Sequence, residues 1–291
     1  MFEQLGLVGC GLMGGSFALA LKRAGLVRRV VGYSPSESTR AKALAMGVVD
    51  AVTATAAEAA TGSDLVLVAV PVAATEATLA AIAHALSANA LVMDVGSTKC
   101  DVVAAAQRAL GEALGCFVPA HPIAGKEVAG VAHSDPGLYN GCQVILTPTS
   151  ETGAAQLAQA EAVWRALGCR VRQMSAPDHD AAFAAVSHLP HVLAFAMMNA
   201  IGSQPQARDY LSLAGPGFRD FTRIAASDPS VWRDIFLANS TQVLAQIKWF
   251  SNCLSELDFA IHRGDAQAIE ALIAQASDAR AAWHLGADAP K

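Results

Sequence analysis

The stretch "QLGLVGCGLMGGS", residues 4–16, decides the fold of the N-terminal half. A short apolar strand runs into Gly9, Gly11 and Gly14, spaced as G-x-G-x-x-G, and a helix follows to about Gly25. Gly9 permits a tight turn, Gly11 lets the backbone approach a pyrophosphate, and Gly14 lets helix and strand pack closely. The free N–H groups and the positive dipole end of the helix favour a phosphate. The stretch predicts a dinucleotide site, although a glycine turn without a ligand has the same pattern.

Up to about residue 175, short apolar strands alternate with alanine-rich helices. Near-continuous apolar strands separated by helices indicate a parallel sheet covered on both faces. The predicted strands are 4–9, 28–33, 64–70, 90–96, 115–121, 141–148 and 169–174. The predicted helices between the early strands are 13–24, 36–46, 73–86 and 99–114. We therefore expect an α/β fold, with a Rossmann-type, mostly parallel sheet domain over residues 1–175.

After residue 175 the strand pattern stops, and the chain is predicted to be all-helical over 176–291. Pro177 and the pair Asp228–Pro229 have the form of helix starts. Pro190 predicts a kink or break in its helix. The predicted helices are 178–201, 206–225, 229–262 and 265–285.

Composition excludes several classes of function. The 291 residues carry a net charge of −5 and no basic cluster, so no nucleic-acid partner is expected. No uninterrupted apolar run reaches about 18 residues, so no membrane span is expected. The start of the chain has no secretion-signal pattern, and we expect a cytoplasmic protein. The six cysteines are scattered, which predicts free thiols and no zinc site.

The carboxyl ends of parallel strands meet at one crevice, where open α/β sheets bind ligands. The residues expected to bind the cofactor there are Gly9, Gly11, Leu12, Met13, Gly14, Ser34, Val70, Pro71 and Gly96. Ser34 stands where an acidic residue would bind the ribose 2′-hydroxyl of NAD. Ser36, Ser38, Thr39 and Arg40 follow as hydrogen-bond donors. This pattern favours NADP while leaving NAD open, and the same residues would also cap the next helix.

His121, in "VPAHPIAG", is predicted to end a sheet strand at this crevice, because Pro122 cannot continue a paired strand. An imidazole placed there is a candidate general base near a nicotinamide. Ser97 ends the neighbouring strand and is a candidate to fix the imidazole or the reacting hydroxyl. Ser97 would serve equally as the N-cap of the helix that follows.

The segments "VGCGLMGGS", "DVGSTK", "HPIAGKE", "SHLPH" and "GFRDFTRIAASDPSVWRDI", together with the two-domain order, resemble the prephenate/arogenate (cyclohexadienyl) dehydrogenases of tyrosine biosynthesis. The resemblance covers roughly residues 4–285. It implies an oxidoreductase that oxidatively decarboxylates prephenate to 4-hydroxyphenylpyruvate, or arogenate to tyrosine, with NAD(P)⁺ accepting the hydride. It also implies a homodimer formed through the helical domain, with tyrosine as a candidate inhibitor.

By this resemblance, His121 aligns with the catalytic base and Ser97 with its hydrogen-bonding partner. Arg223 matches an arginine that binds a substrate carboxylate, and Arg219, Asp220 and Trp232 belong to a stretch that can reach across from the dimer partner. The substrate-binding set is Lys126, Glu127, His191, Arg219, Arg223 and Trp232. Lys126 departs from the small polar residue common in the family and is a candidate for substrate selectivity.

The spacing of the two arginines has a second interpretation. Arg219 and Arg223 lie four apart and therefore on one face of a helix. Guanidinium groups bind carboxylates in a bidentate fork, which suits an anionic substrate. A solvated helix face paired with Asp220 or Asp228 has the same spacing.

Two other functions remain open at the level of the residues alone. A 3-hydroxyacid dehydrogenase or an imine reductase also joins a Rossmann domain to helices, but the helical half here carries only Lys248 and Lys291 as candidate lysines. A non-catalytic nucleotide-sensing protein is the second alternative. His188 and His191 are spaced for a metal pair, but no suitable third ligand is evident, so no metal is expected.

Overall fold

The computed structural model describes residues 1–126 and 128–283. Its larger sheet has six strands in the order β3-β2-β1-β4-β5-β6, and every neighbouring pair is parallel. The strands are β1 Phe2–Val8, β2 Val27–Tyr33, β3 Ala51–Val52, β4 Leu65–Val68, β5 Leu91–Asp94 and β6 Phe117–Val118. This is the Rossmann strand order, and the predicted fold class is confirmed.

Apolar side chains alternate between the two faces of this sheet, as expected of strands covered on both sides. Leu5 and Leu7 belong to one buried cluster, whereas Val66 and Val68 belong to the other. The helices of this part are α1 Leu12–Arg23, α2 Glu37–Ala45, α3 Ala56–Ala60, α4 Thr75–Ile82, α5 Cys100–Ala109 and α6 Ala154–Ala166. β3 and α3 were not predicted, because two and five residues are too few to show a periodic pattern.

A second, three-stranded sheet corrects the prediction of one strand over 115–121. It consists of β7 Ala120–Pro122, β8 Gln143–Leu146 and β9 Arg170–Gln173, in the order β7-β8-β9. β7 runs antiparallel to β8, and His121 pairs with Ile145 in the middle of β7. The chain leaves the larger sheet at Pro119, which has no N–H to continue a ladder. The prediction that His121 ends a strand of the parallel sheet is therefore wrong.

The helical part begins with α7 Ala176–Phe183, a π-helical turn over Ala184–His188, and α8 Leu189–Gly202. Pro190 lies in the first turn of α8, so the predicted break becomes a π turn inside one helix of 27 residues. An 18-residue window of this helix has a mean hydropathy of 1.5, and by length and composition alone the helix could cross a membrane. Three of its polar residues, His179, Asp180 and His188, are nevertheless buried within the fold.

Within the described residues five further helices follow, and two predicted helices prove to be split. They are α9 Ala207–Ser212, α10 Pro216–Thr222, α11 Pro229–Ala238, α12 Ser240–His262 and α13 Ala266–Ala282. Gly215 and Pro216 separate α9 from α10, and Asn239 separates α11 from α12. Asn239 is buried, and its side chain donates to the carbonyl oxygen of Asp180 at 2.8 Å. The predicted start at Asp228 is confirmed, since its carboxylate accepts from two backbone N–H groups of α11.

By its internal contacts the chain divides into residues 1–242 and 243–291. The predicted domain boundary at residue 175 stays a prediction. The described part of the second unit exposes large apolar side chains on α12, on α13 and directly after it. They are Leu244, Trp249, Leu254, Phe259, Ile261, Ile273 and Trp283. Lys291 and the predicted helix end at 285 lie outside the described residues.

Candidate active site

The glycine loop has the backbone geometry that the sequence predicts. Gly9 has φ +104°, and an added Cβ would lie 2.2 Å from the Ala69 carbonyl oxygen. An added Cβ on Gly14 would lie 2.2 Å from the Gly9 carbonyl oxygen. Gly11 is the N-cap of α1, has no side chain to cap the helix, and would carry a Cβ into open space. The first N–H groups of α1 are therefore accessible to an anion, as a bound pyrophosphate requires.

A cavity of about 410 Å³ lies next to this loop. Six of the predicted cofactor residues line it: Gly11, Leu12, Met13, Val70, Pro71 and Gly96. Ser97, Lys126 and Trp232 line it as well. The structure thus brings the glycine loop, the ends of β4 and β5 and helix α11 to one space. Asp228, Asp234 and Ile235 of the helical part also line the cavity, and the sequence analysis did not place them there.

Ser34 follows β2, away from the described lining of this cavity, within a group of polar residues. The Arg40 guanidinium donates to the Ser34 carbonyl oxygen. Ser36 accepts from the Thr39 N–H and caps α2, so one of the two sequence interpretations, helix capping, holds for Ser36. The loop, the free helix end and these donors fit a dinucleotide.

His121 belongs to an aromatic cluster with His179 and Phe183, in which His179 is buried and the other two rings are partly exposed. Its Nδ1 lies 2.8 Å from Nε2 of His179, and its ring centroid lies 4.8 Å from that of Phe183. Burial lowers the pKa of His121 well below its usual value, and positive charge on His179, Lys99 and His188 would lower it further. The imidazole is therefore neutral near neutral pH, which is the form that accepts a proton.

Ser97 differs from its predicted roles. In the described part of the chain no hydrogen bond joins Ser97 to His121, and His179 is the partner instead. The prediction of Ser97 as helix N-cap is wrong, because Lys99 is the N-cap of α5 and makes no side-chain cap. The carboxylate of Asp180 caps this helix from α7. Ser97 keeps a place in the cavity wall.

A buried ion pair supports the backbone in front of His121. The Lys99 ammonium donates to Asp94 and, at 2.9 Å, to the carbonyl oxygen of Ala120. Asp94 in turn accepts from the Ala120 N–H at 2.9 Å. Both polar groups of Ala120 are thus held by one pair of charges, and this fixes where β7 starts. Asp94 ends β5 and Lys99 precedes α5, and the pair was not predicted, because the two residues were assigned to a predicted strand and a predicted helix.

His191 and Trp232 form a stack beside the cavity. Their ring centroids are 3.5 Å apart at an interplanar angle of 21°. The His191 Nδ1 donates to the Ser187 carbonyl oxygen at 2.9 Å, and burial lowers the pKa of His191, so the neutral ring keeps Nε2 as an acceptor. His188 lies 6.0 Å from the Trp232 ring and accepts from Asn239 at 3.2 Å. Because Asn239 also donates to the Asp180 carbonyl oxygen, it links the His188–Trp232 contact to the helix segment that carries His179 and Asp180.

The charged residues predicted for the substrate site have separate locations. Arg219 is exposed and pairs with Asp220 at 3.0 Å, as in the second interpretation of its spacing. Arg223 follows the end of α10 and starts a 3₁₀ turn, and it is not among the described residues of the cavity wall. Lys126 lines the cavity and pairs with Asp135 at 3.0 Å. Glu127 lies outside the described residues. Within those residues no group of three or more His, Cys, Asp or Glu is placed to hold a metal.

Two family models match nearly the whole chain. The nucleotide-binding domain of prephenate dehydrogenase matches residues 17–173, and the dimerization domain of prephenate dehydrogenase matches residues 175–275. A cyclohexadienyl dehydrogenase of Zymomonas mobilis is 36% identical over 267 residues, which are 91% of this chain and 90% of that protein.

Solved structures agree with these matches. A crystal structure of prephenate dehydrogenase from A. aeolicus in complex with hydroxyphenyl propionate and NAD⁺ superposes with a TM-score of 0.88 at 37% identity. The match covers 96% of this chain and 97% of that one. A Synechocystis arogenate dehydrogenase gives 0.80 at 27% identity over 96% of this chain and 99% of that one. The predicted resemblance is confirmed, and the chain belongs to the prephenate/arogenate dehydrogenase family.

Proposed function

We propose that this chain oxidatively decarboxylates prephenate to 4-hydroxyphenylpyruvate, arogenate to tyrosine, or both, with NAD(P)⁺ as the hydride acceptor. The observation that carries the proposal is a neutral His121, hydrogen-bonded to His179, together with a cavity that lies next to a dinucleotide loop and is lined by Ser97 and Trp232. Membership of the family supports it. The product would enter tyrosine biosynthesis.

The proposed reaction requires the protein to position the substrate and the nucleotide and to supply one general base. Gly11 and the first turn of α1 would hold the NAD(P)⁺ pyrophosphate, and the bound nucleotide accepts the hydride from C4 of the substrate ring. His121 takes the proton of the C4 hydroxyl as that carbon becomes a carbonyl. Loss of CO₂ then returns the bonding electrons to the ring and leaves a phenolate, to which His121 gives the proton back. A well-placed base of this kind is worth roughly 10²–10⁴ in rate.

The substrate carboxylates need cations away from bulk water. Arg223 is proposed to bind one of them through its planar fork, and Glu127, Lys126 and His191 to shape the pocket around the side chain. Lys126 would favour a keto group over an ammonium group, because like charges repel. It would therefore favour prephenate over arogenate.

Arg219 and Asp220 are exposed and lie outside the described cavity wall, so we assign them to the site of the partner in a homodimer. The match to a dimerization domain supports that assembly, as do the exposed apolar side chains of α12 and α13. We place the domain boundary at residue 175 and keep tyrosine as a candidate inhibitor of the same cavity. The six free cysteines suit a cytoplasmic protein.

We propose NADP⁺ as the preferred cofactor, with NAD⁺ accepted. Ser34 offers no carboxylate to repel a 2′-phosphate, and Arg40 is held beside it through the Ser34 carbonyl oxygen. Ser36 and Ser38 add hydroxyl groups at the same end of β2. The experiment is a kinetic comparison of both substrates with both cofactors, followed by absorbance of the reduced nicotinamide.

The same assay tests the catalytic base. His121→Ala should lower kcat by at least ~10² while leaving the Kd for the nucleotide near that of the unchanged protein. Turnover at the unchanged rate in this variant would remove His121 from the mechanism. Absence of turnover with all four combinations would contradict the proposed reaction itself.

A further inference from the structure

His121, His179 and Asp180 form a continuous chain of hydrogen bonds, and the proposed reaction gives no role to His179 or Asp180. The His121 Nδ1 lies 2.8 Å from His179 Nε2, and the His179 Nδ1 lies 2.8 Å from Asp180 Oδ1. His179 and Asp180 are buried, at 0% and 2% exposure. Water therefore cannot replace either partner in this chain.

The direction of the chain is fixed at Asp180. Its Oδ1 accepts from the Lys99 N–H at 2.8 Å, and its Oδ2 accepts from the Cys100 N–H at 2.9 Å. Burial raises the pKa of Asp180, but the hydrogen bonds from His179 and from these two backbone groups outweigh it and leave the pKa below its usual value. An ionised carboxylate can only accept hydrogen bonds.

These hydrogen bonds determine which ring nitrogen of His179 and of His121 carries the proton. The carboxylate requires the proton of His179 on Nδ1, and burial lowers the pKa of His179, so that ring is neutral and its Nε2 is an acceptor. The bond of 2.8 Å then requires the proton of His121 on Nδ1. The lone pair of His121 is left on Nε2, where no other described residue binds it.

We propose that His179 and Asp180 are positioning residues that hold His121 in the tautomer whose Nε2 accepts the hydroxyl proton of the substrate. This rests on the proposed function. When Nε2 takes the proton, the ring becomes an imidazolium whose Nδ1–H still donates to His179, and the negative charge of Asp180 stabilises it through the shared chain. When the phenolate takes the proton back, the same tautomer is restored. No proton leaves the pair of His121 and substrate during one turnover.

The variants separate this role from simple packing. His179→Phe fills the space without an acceptor for the His121 Nδ1–H, whereas His179→Gln offers an amide oxygen near the place of Nε2. Trp164→Phe is the control for packing, since Trp164 is also a fully buried ring but packs against Phe17 and Tyr139 and not against His121. Thermal denaturation of each holoenzyme reports the structural cost.

We expect His179→Phe to lower kcat roughly 10- to 100-fold, a part of the rate that a base supplies, with KM for substrate and nucleotide nearly unchanged. His179→Gln should recover most of the loss, and Trp164→Phe should lower only the melting temperature. An unchanged kcat in His179→Phe, or a loss confined to KM and melting temperature, would overturn the proposal.

A second measurement needs no variant to be active. Two-bond ¹H–¹⁵N correlation spectra of the ¹⁵N-histidine-labelled protein with bound NAD⁺ show which nitrogen of each ring is unprotonated, and His121→Asn identifies the His121 signals. The proposal requires the unprotonated nitrogen of His121 to be Nε2, and the opposite tautomer overturns it. Failure of the proposed reaction would appear separately, as absence of turnover in a protein with the expected tautomer.

Discussion

Replacing Lys99 by methionine should destabilise the fold far more than the loss of an ordinary surface charge. Lys99 and Asp94 are buried as a pair, with side-chain exposures of 0% and 2%. Lys99→Met keeps the volume but, among the described residues, leaves the Asp94 carboxylate with the N–H groups of Gly96 and Ala120 as its only donors. Breaking a buried pair by removing one member costs about 3–5 kcal/mol. That is a large part of the ~5–15 kcal/mol that stabilises a domain.

The double variant is the sharper part of the experiment. Asp94→Asn combined with Lys99→Met removes both charges, so it should cost clearly less than the two single changes added together. Urea unfolding followed by tryptophan fluorescence measures all three, at one protein concentration because dimer stability depends on it. Lys22→Met is the control, since Lys22 pairs with a partly exposed Asp50 and its loss should cost at most about 1 kcal/mol. Additive costs, or a Lys99→Met cost as small as that of Lys22→Met, would refute the reasoning.

Three further predictions concern pH, substrate and cofactor. Burial lowers the pKa of His188 to about 4. At a pH below the ordinary histidine pKa of about 6.5, His188 is therefore protonated in the unfolded chain but stays neutral in the folded chain. The melting temperature should therefore fall as pH drops from about 6.5 towards 4, and His188→Gln should flatten that fall; an equal slope would contradict the assignment. Trp232→Leu removes the stack on the cavity wall, worth about 0.5–1.5 kcal/mol, and should raise the substrate KM roughly 2- to 10-fold. Leu44→Ala, at an exposed apolar position of α2 outside the cavity lining, should not change the substrate KM, and equal effects of the two variants would count against Trp232 as a pocket residue. Arg40→Ala should raise KM for NADP⁺ roughly 10- to 100-fold, the worth of one or two charge-assisted bonds, with little change for NAD⁺. Arg28→Ala is its surface control, and equal changes for both cofactors would exclude contact with a 2′-phosphate.

The parallel sheet and the nucleotide loop could be predicted because each depends on local sequence. Apolar strands, the spacing of Gly9, Gly11 and Gly14, and the alternation with helices all act within a few residues of one another. The capping role of Asp228 was predictable for the same reason. Each of these features was confirmed in the structure.

The remainder depends on contacts between distant parts of the chain. His179 is 58 positions from His121, and Asp180 is 81 positions from Lys99, so no local pattern shows that they meet. The chain switches sheets at Pro119, which is visible only once β8 is known to pair with β7. Asn239 lies between two helices, and its side chain donates to the carbonyl oxygen of Asp180, which is 59 positions earlier in the chain. Such residues look ordinary in the sequence, and only the fold gives them a role.

The carboxylate of Asp180 has two roles. It accepts hydrogen bonds from the N-terminal N–H groups of α5, and it orients the His179 imidazole next to His121. Packing of α7 against α5 and orientation of the His121 imidazole therefore depend on the same carboxylate. A displacement of α7 away from α5 would leave the backbone N–H groups of Lys99 and Cys100 without their acceptor. The same displacement would let the imidazoles of His121 and His179 change tautomer. When α7 is displaced from α5, His121 is therefore no longer held in the tautomer that accepts the substrate proton.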